Sequence, residues 1–283
     1  MKDKHLAVVF LTPGLLLSAI FILVPLVMAI RLSLFKMTSL IGTPTFCGLD
    51  NYLSLIQDPQ FWNALKNGII YAGSTVILQL VLGIAFALVL NQNLKGRNIL
   101  RGSVLMPYII PPVVIAIIWG WMLEFQMGII TQFLKYLGLY FAYLETPFNA
   151  MITIIIISVW AWTPFVTICF LAALQNVPQE LYESAEVDGA SSWVQFSKIT
   201  IPILMPVLSV VALLRGIWMF NKFDLIWILT GGGPLGGTEH LPIMAYKKAF
   251  GLFDVGGGSA VATLSLIFLS GLIFIYFKLM KVE

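Results

Sequence analysis

The chain contains 283 residues, of which 59% are hydrophobic and only 10% are charged. Soluble domains carry about 25% charged residues, so this composition excludes an ordinary soluble globular protein. The formal net charge is only +3 and the basic residues are scattered, which argues against a nucleic-acid-binding surface. Cys47 and Cys169 are too far apart in the sequence to form a metal-binding or redox motif.

Apolar stretches long enough to cross a bilayer recur along the whole chain. A transmembrane helix needs about 20 mostly apolar residues. The sequence offers six such spans, at about residues 6–30, 69–90, 103–123, 150–174, 203–229 and 260–279. The first is too long for a signal peptide and lacks a cleavage site of small residues, so we expect it to remain as a span. We therefore predict an all-α polytopic membrane protein with six transmembrane helices in a single domain, residues 1–283.

Basic residues near the predicted spans indicate an orientation. The loop at residues 91–102 contains basic residues and no acid, and both ends of the chain carry lysines. The residues concerned are Lys2, Lys4, Lys95, Arg97, Arg101, Lys278 and Lys281. With six spans they share one side, and positively charged segments stay in the cytoplasm. We therefore predict cytoplasmic N- and C-termini, although other basic residues fall on the outer side.

The fourth span contains a Trp-x-Trp-Thr-Pro run. Pro164 removes a backbone donor and frees a carbonyl, which predicts a kink at a level where a cavity could open. Trp160, Trp162 and Thr163 precede this proline. These three residues are therefore candidates for a substrate pathway.

A polar, acid-rich island at residues 177–202 separates the fourth span from the fifth. Gly189 can take the left-handed conformation that ends a helix, which predicts two short helices with a bend. The second helix would present three side chains on one face: Trp193, Phe196 and Ile199. Pro202 is predicted to break the chain before the next span. The island has a shape suited to docking into a groove of another protein, and a solvated loop on the lipid surface is the alternative.

The fifth span is the richest in polar side chains, which are costly inside a membrane and are functional candidates by default. Helical spacing would put Trp218, Asn221 and Asp224 on one face. Amide and carboxylate groups can bind hydroxyls and tryptophan offers an apolar wall, so this face would suit a sugar. Alternatively, Lys222 pairs with Asp224, and Arg215 ties the span to a neighbouring subunit. All five residues are candidates for the substrate pathway.

A glycine-rich stretch follows the fifth span, and three of its glycines fit the G-x-G-x-x-G pattern: Gly231, Gly233 and Gly236. No strand precedes it and no P-loop lysine follows it, so nucleotide binding is rejected. We predict a flexible outer loop followed by a short helix at about residues 241–250. The sequence has no nucleophile elbow, HExxH motif or P-loop, so no catalytic or metal-binding residues are predicted.

The island resembles the EAA loop of membrane subunits of binding-protein-dependent ABC importers. The match rests on Glu183, Ala185, Gly189, Ile199 and Pro202, whereas Ser184 stands where the family usually has alanine. Leu181-Tyr182 and the run Val187-Asp188-Gly189-Ala190 are similar to the sugar-importer branch, related to the maltose and glycerol-phosphate permeases. Residues 46–52 and 223–234 also resemble this branch.

This resemblance implies that the island is a cytoplasmic coupling helix-turn-helix that docks into a cleft of an ATPase subunit. The residues expected to couple are Glu183, Ala185, Asp188, Gly189, Ala190, Trp193, Phe196, Ile199 and Pro202. The chain would then be a multi-pass subunit of the cell membrane without an ATPase site of its own. It would need no cofactor, because ATP and Mg²⁺ would bind to the ATPase.

The resemblance further implies a permease that forms half of a translocation pathway for a sugar or oligosaccharide. The expected partners are a second permease subunit, two copies of a cytoplasmic ATPase and an extracytoplasmic solute-binding protein. The same importer class could instead carry glycerol-phosphate, a polyol or another small polar solute. Two other classes have less support: a stand-alone secondary carrier, because no convincing inverted repeat is visible among the spans, and a membrane enzyme, because no catalytic set is found.

Overall fold

The computed structural model describes residues 2–37, 43–92, 95–139 and 142–280, and it is mostly helical. Lys281, one of the predicted cytoplasmic lysines, lies outside these residues. The chain divides into two compact units. The first contains the residues up to Ala64 together with Leu241–Leu272, and the second contains Leu65–His240 and the described residues from Ile273 onward. That residues 1–283 form one domain stays a prediction.

The first unit begins with two helices joined by a π-helical turn, followed by a short antiparallel pair of strands. Its elements are α1 Lys2–Ser18, the turn Ala19–Leu23, α2 Val24–Leu32, β1 Phe35–Lys36, β2 Thr45–Phe46, α3 Asp50–Gln57, the start of α4 Pro59–Asn91, and α13 Leu241–Tyr246, a π turn Lys247–Gly251 and most of α14 Val255–Met280. Asn51 on α3 contacts the chain at the end of α2 and at β1. Its Nδ2 donates to the carbonyl oxygens of Ser33 at 2.8 Å and Phe35 at 3.0 Å.

The second unit contains most of the remaining helices. They are α5 Arg97–Ile109, α6 Pro112–Met122, α7 Ile129–Tyr136, α8 Pro147–Gln175, α9 Gln179–Val187, α10 Ser192–Gln195, a π turn Phe196–Thr200, α11 Ile201–Phe220 and α12 Asp224–Thr230. Its apolar core joins α4, α8 and α11 through Ala87, Val166, Phe170, Leu174, Leu204 and Val211. This core brings the predicted second, fourth and fifth spans together.

Within the described residues, five helical stretches are long and apolar enough to cross a membrane. They are Phe10–Leu32, Pro59–Asn91, Pro147–Gln175, Ser192–Thr230 and Val255–Met280. The predicted span at residues 103–123 is not one straight helix, because α5 and α6 meet at 96°. Ile110 is extended before Pro111, as the proline ring requires of the residue that precedes it. This bent pair is a sixth candidate only if it is counted as one span.

The fifth predicted span lies within Ser192–Thr230, but two details differ from the sequence prediction. Pro202 does not break the chain, because it lies in the first turn of α11, where a missing backbone N–H costs little. Farther along, the continuous helix predicted over residues 203–229 is interrupted between Phe220 and Asp224. The predicted common helical face of Trp218, Asn221 and Asp224 therefore does not form.

Gly83 allows α4 to pack closely against α8. A Cβ atom added there would lie 2.5 Å from Cγ1 and 2.8 Å from Cβ of Val166. An added Cβ at Gly73 on the same helix meets nothing within 4 Å. Gly83→Ala is therefore expected to lower the free energy of unfolding by about 1–3 kcal/mol through overpacking.

Thermal unfolding of the purified protein in detergent measures this effect, with Gly73→Ala as the matched control. We expect Gly73→Ala to leave the unfolding midpoint close to that of the wild type. Equal midpoints for the two variants would contradict the close contact between α4 and α8.

Candidate functional site

A polar cavity of about 480 Å³ lies among α5, α8, α11 and the segment before α12. Its lining residues are Tyr108, Trp162, Arg215, Ile217, Trp218, Met219, Asn221, Lys222, Phe223 and Asp224. Six of the eight residues predicted for a substrate pathway therefore surround one space. The structure brings them together although the continuous helical face used to predict them is absent.

The interruption of the fifth span shapes one wall of this cavity. Helix α11 ends at Phe220, and the Asn221 side chain donates to the carbonyl oxygen of Ile217 at 3.0 Å. In a continuous helix, three successive side chains would spread over about 200°. Here Asn221, Lys222 and Phe223 all line the same space. The interruption therefore concentrates polar and aromatic groups that a regular helix would separate.

The positive charge of Lys222 is engaged inside the cavity. Its Nζ lies 3.3 Å from Oδ2 of Asp224 and 4.1 Å from the centroid of the Trp162 ring. The predicted pairing of Lys222 with Asp224 is confirmed. Because Asp224 is half exposed, the ion pair itself contributes at most about 1 kcal/mol. Its main consequence is that this lysine already has a counter-charge.

Arg215 is held by buried polar groups of other helices. Its side chain is 2% exposed, and its Nε donates to Oε1 of Gln79 on α4 at 2.8 Å. Gln79 also donates to the carbonyl oxygen of Ser158 on α8 at 3.1 Å, and the Ser158 hydroxyl lies 2.8 Å from that of Tyr71. Among the residues that the structure describes, no carboxylate lies within salt-bridge distance of Arg215. The structure therefore ties Arg215 to Gln79 of this chain, and the predicted tie to a neighbouring subunit stays a prediction.

Gln79 was not singled out from the sequence, although a signal exists. It is a fully buried amide in a predominantly apolar span. The rule that marks intramembrane polar residues as candidates applies to it as well as to the fifth span. Its partner, however, is 136 residues away and could not be read from local spacing.

Trp160 and Thr163 do not line the polar cavity. They border a separate, mostly apolar groove of about 450 Å³ among α4, α5 and α8, together with Pro164. The Thr163 hydroxyl donates to the carbonyl oxygen of Val159 at 2.6 Å, and the Trp160 ring packs edge-on against Trp119 with centroids 5.5 Å apart. The two residues are therefore engaged locally, and their role in a substrate pathway stays a prediction.

The island contains the short helix α9 and a bend at Gly189, but its second arm is not a separate short helix, because α10 continues through the π turn into α11. Gly189 has a φ of +76°, a backbone conformation that favours glycine, and the N–H of Ala190 donates to the carbonyl oxygen of Ala185 at 2.8 Å. The Tyr182 hydroxyl, on α9, lies 2.9 Å from that of Thr200, which ties the two arms together. The bend therefore has defined geometry, with Asp188 at the end of α9.

The island exposes apolar surface. Trp193 is 72% exposed, Val187 is 89% exposed, and the rings of Trp193 and Phe196 lie 5.6 Å apart. Ile199 is half-buried and follows within the π turn. Large exposed tryptophan side chains are typical of protein interaction sites. The geometry is thus consistent with docking, and the predicted role of the island in coupling stays a prediction.

Comparisons with known proteins give one consistent result. Residues 79–281 match the family model described as "Binding-protein-dependent transport system inner membrane component". The chain is 37% identical over 278 residues to the trehalose/maltose transport system permease protein MalF of Thermococcus litoralis, covering 98% of this chain and 94% of the relative. It is 31% identical over 264 residues to the sulfoquinovosyl glycerol transport system permease protein SmoG of Agrobacterium fabrum, covering 93% and 86%.

The fold also matches a solved structure. A chain of a bacterial ABC transporter involved in the import of the acidic polysaccharide alginate aligns with a TM-score of 0.85 and 23% identity. The alignment covers 99% of this chain and 96% of the other. At this identity the likeness concerns the fold alone, and it extends over nearly the whole chain.

Proposed function

This chain belongs to the family of binding-protein-dependent transport system inner membrane components, and we propose that it is the permease subunit of an ATP-driven importer for a sugar or oligosaccharide. The relationship to a trehalose/maltose permease over almost the full length of both chains supports the importer class. The observation that carries the choice of a sugar is the cavity in which Trp162 and Trp218 lie beside Asn221 and Asp224. Flat apolar rings next to hydrogen-bonding groups match a molecule with polar edges and an apolar face.

The charges around the cavity favour a neutral solute over an anionic one such as glycerol-phosphate. Lys222 is paired with Asp224 and lies over the Trp162 ring, while Arg215 is buried and bound to Gln79. An anion would therefore meet a lysine whose charge Asp224 already balances and an arginine that is only 2% exposed. A neutral sugar can use Asn221 and the exposed Asp224 oxygens without disturbing either arrangement.

The remaining parts of the proposal concern assembly. Six membrane crossings, with the bent α5–α6 pair as one, would place both termini and the island in the cytoplasm. There the nine coupling residues of the island would meet an ATPase subunit that binds ATP and Mg²⁺. A second permease, two ATPase copies and an extracytoplasmic solute-binding protein would complete the importer. The defined bend at Gly189 and the exposed Trp193 support the docking role.

Trp218→Ala is expected to raise the KM for sugar uptake about tenfold while changing the maximal rate less. The variant removes a half-exposed indole from the cavity wall, and a specific contact with an aromatic ring contributes of the order of 0.5–1.5 kcal/mol, of which the upper end corresponds to tenfold in affinity. The measurement is ATP-dependent uptake into proteoliposomes that contain the complete importer. Radiolabelled maltose, trehalose, sorbitol and glycerol 3-phosphate serve as test solutes.

Trp121→Ala is the matched control, because Trp121 is also exposed but lies outside the cavity. Its KM should equal that of the wild type. Uptake of glycerol 3-phosphate but of neither disaccharide would contradict the sugar assignment. Uptake by this chain alone, without an ATPase subunit, would instead indicate a secondary carrier.

A further inference from the structure

The interruption of the fifth span is held by a residue that lies 18 positions farther along the chain. His240 Nε2 lies 2.6 Å from the carbonyl oxygen of Lys222. Lys222 is in the segment between α11 and α12, where the helical hydrogen-bond pattern lapses. A buried carbonyl without a partner is costly, so this bond satisfies a group that the interruption would otherwise leave unpaired.

His240 itself is rigidly enclosed. It is 1% exposed, and its ring packs edge-on against Tyr71 of α4 with centroids 6.2 Å apart. Gly68, one turn earlier on α4, leaves room for the neighbouring Phe220 ring, since an added Cβ would lie 3.3 Å from that ring. The imidazole therefore has little freedom to leave the Lys222 carbonyl.

The loop that leads to His240 makes specific side-chain contacts that the sequence did not predict, and its predicted flexibility stays a prediction. Asn67 Nδ2 donates to the carbonyl oxygens of Gly236 and Glu239, both at 2.9 Å. The Thr238 hydroxyl donates to the carbonyl oxygen of Gly233 at 2.8 Å. These contacts restrict the backbone conformations that the glycines of this loop would otherwise adopt. The loop at residues 231–239 therefore holds His240 beside Lys222.

The protonation state of His240 makes its Nε2 a hydrogen-bond donor to the Lys222 carbonyl oxygen. A carbonyl oxygen only accepts, so Nε2 carries the proton, and within the described residues Nδ1 has no hydrogen-bond partner. Burial lowers the pKa of His240 to about 4. The imidazole is therefore neutral near pH 7, with its one N–H directed at Lys222.

We propose that His240 is a positioning residue for the substrate cavity: its N–H fixes the Lys222 carbonyl and thereby the segment whose side chains Asn221, Lys222 and Phe223 line that cavity. The inference rests on the proposed function for the meaning of the cavity. It adds a residue that does not line the cavity and acts on it through the backbone. It also makes the loop at residues 231–239 and the cavity wall one connected unit.

The pair His240→Gln and His240→Asn tests the proposal, because both are amides and only the longer one reaches the position of Nε2. In the complete importer, His240→Gln should keep the KM for sugar uptake within about twofold of the wild type. His240→Asn should raise the KM about tenfold, with the maximal rate within about threefold. A KM unchanged in both variants would overturn the proposal, and so would an equal loss of maximal rate in both at unchanged KM.

A second readout does not depend on transport of any particular sugar. Phe223→Cys, in a background where Cys47 and Cys169 are replaced by alanine, reports the accessibility of the segment to a maleimide in the assembled complex without substrate. Combined with His240→Asn it should react several-fold faster than when combined with His240→Gln. Equal rates would overturn the positioning role even if no test sugar is carried, which separates this failure from failure of the proposed function.

If His240→Asn does not assemble, Asn67→Ala takes its place in the maleimide experiment. This variant removes the hydrogen bonds from α4 to the loop that leads to His240. The labelling rate of Phe223→Cys should again rise several-fold. A rate equal to that of the parent would show that the loop does not hold the segment, and the proposal would be withdrawn.

Discussion

Trp193→Ala is expected to lower the affinity of the permease for its ATPase subunit by about 30-fold or more and to remove most ATP-driven uptake. Trp193 is 72% exposed on α10 and stacks loosely on Phe196, so it presents a large apolar surface to a partner. Tryptophan residues at the centre of an interface typically contribute about 2 kcal/mol or more, and 2 kcal/mol corresponds to roughly 30-fold in affinity.

Binding of the purified ATPase to the permease complex in lipid nanodiscs measures this loss directly. Trp121→Ala is the matched control, because Trp121 is 74% exposed and lies on α6, remote in sequence from the island. It should leave ATPase affinity unchanged. A wild-type affinity for Trp193→Ala, together with wild-type uptake, would remove this face of the island from coupling.

Gln79→Leu is expected to lower the free energy of unfolding by about 2–3 kcal/mol. Leucine is apolar and one methylene shorter than glutamine, and it cannot accept the hydrogen bond from Arg215, whose Nε lies 2.8 Å from Oε1 of Gln79. The guanidinium is almost fully buried, and a hydrogen bond to a charged group contributes about 1.5–3 kcal/mol. Loss of the contact with the Ser158 carbonyl adds to the effect.

Gln79→Glu separates loss of the acceptor from a general disturbance of the helix packing. Glutamate keeps an oxygen for Arg215 and supplies the missing counter-charge, so we expect it to be clearly more stable than Gln79→Leu. Reversible unfolding in mixed micelles, followed by tryptophan fluorescence, gives the comparison. Equal stabilities of the two variants would mean that the bond between Arg215 and Gln79 does not hold α4 to α11.

The helical architecture could be predicted because each span is a long apolar run, a signal that needs no knowledge of distant contacts. The departures lie where a helix is interrupted. At Ile110 the cause is visible in the sequence, since a proline pair follows it. At Asn221 neither glycine nor proline marks the interruption. There the conformation depends on His240, which accounts for the failure of local spacing.

Most polar residues of the cavity could be predicted from the sequence, whereas the contacts that hold them in place could not. Polar residues in a span are few, so marking them found Arg215, Lys222 and Asp224. The buried partners Gln79 and Asn67 act across long sequence separations, 136 residues in the case of Gln79 and Arg215. No period or motif connects such residues, and only the packing of α4 against the rest of the unit brings them together.

The glycine-rich loop shows a further limit of local inference. Its composition predicts freedom, but its backbone groups are bound by side chains from elsewhere, including Asn67 on α4. The same applies to glycines within helices. Gly83 makes a close contact with Val166, whereas Gly73 faces open space, and the sequence around the two offers no distinction.

The central claim is that this permease is driven from the cytoplasm through the island at residues 177–202. The most direct test is photo-crosslinking in native membranes from position 187, where Val187 is 89% exposed, compared with position 127, where Met127 is 88% exposed in the segment between α6 and α7. We expect position 187 to cross-link to a polypeptide that binds ATP and position 127 not to do so. An ATP-binding partner captured only from position 127 would contradict the claim.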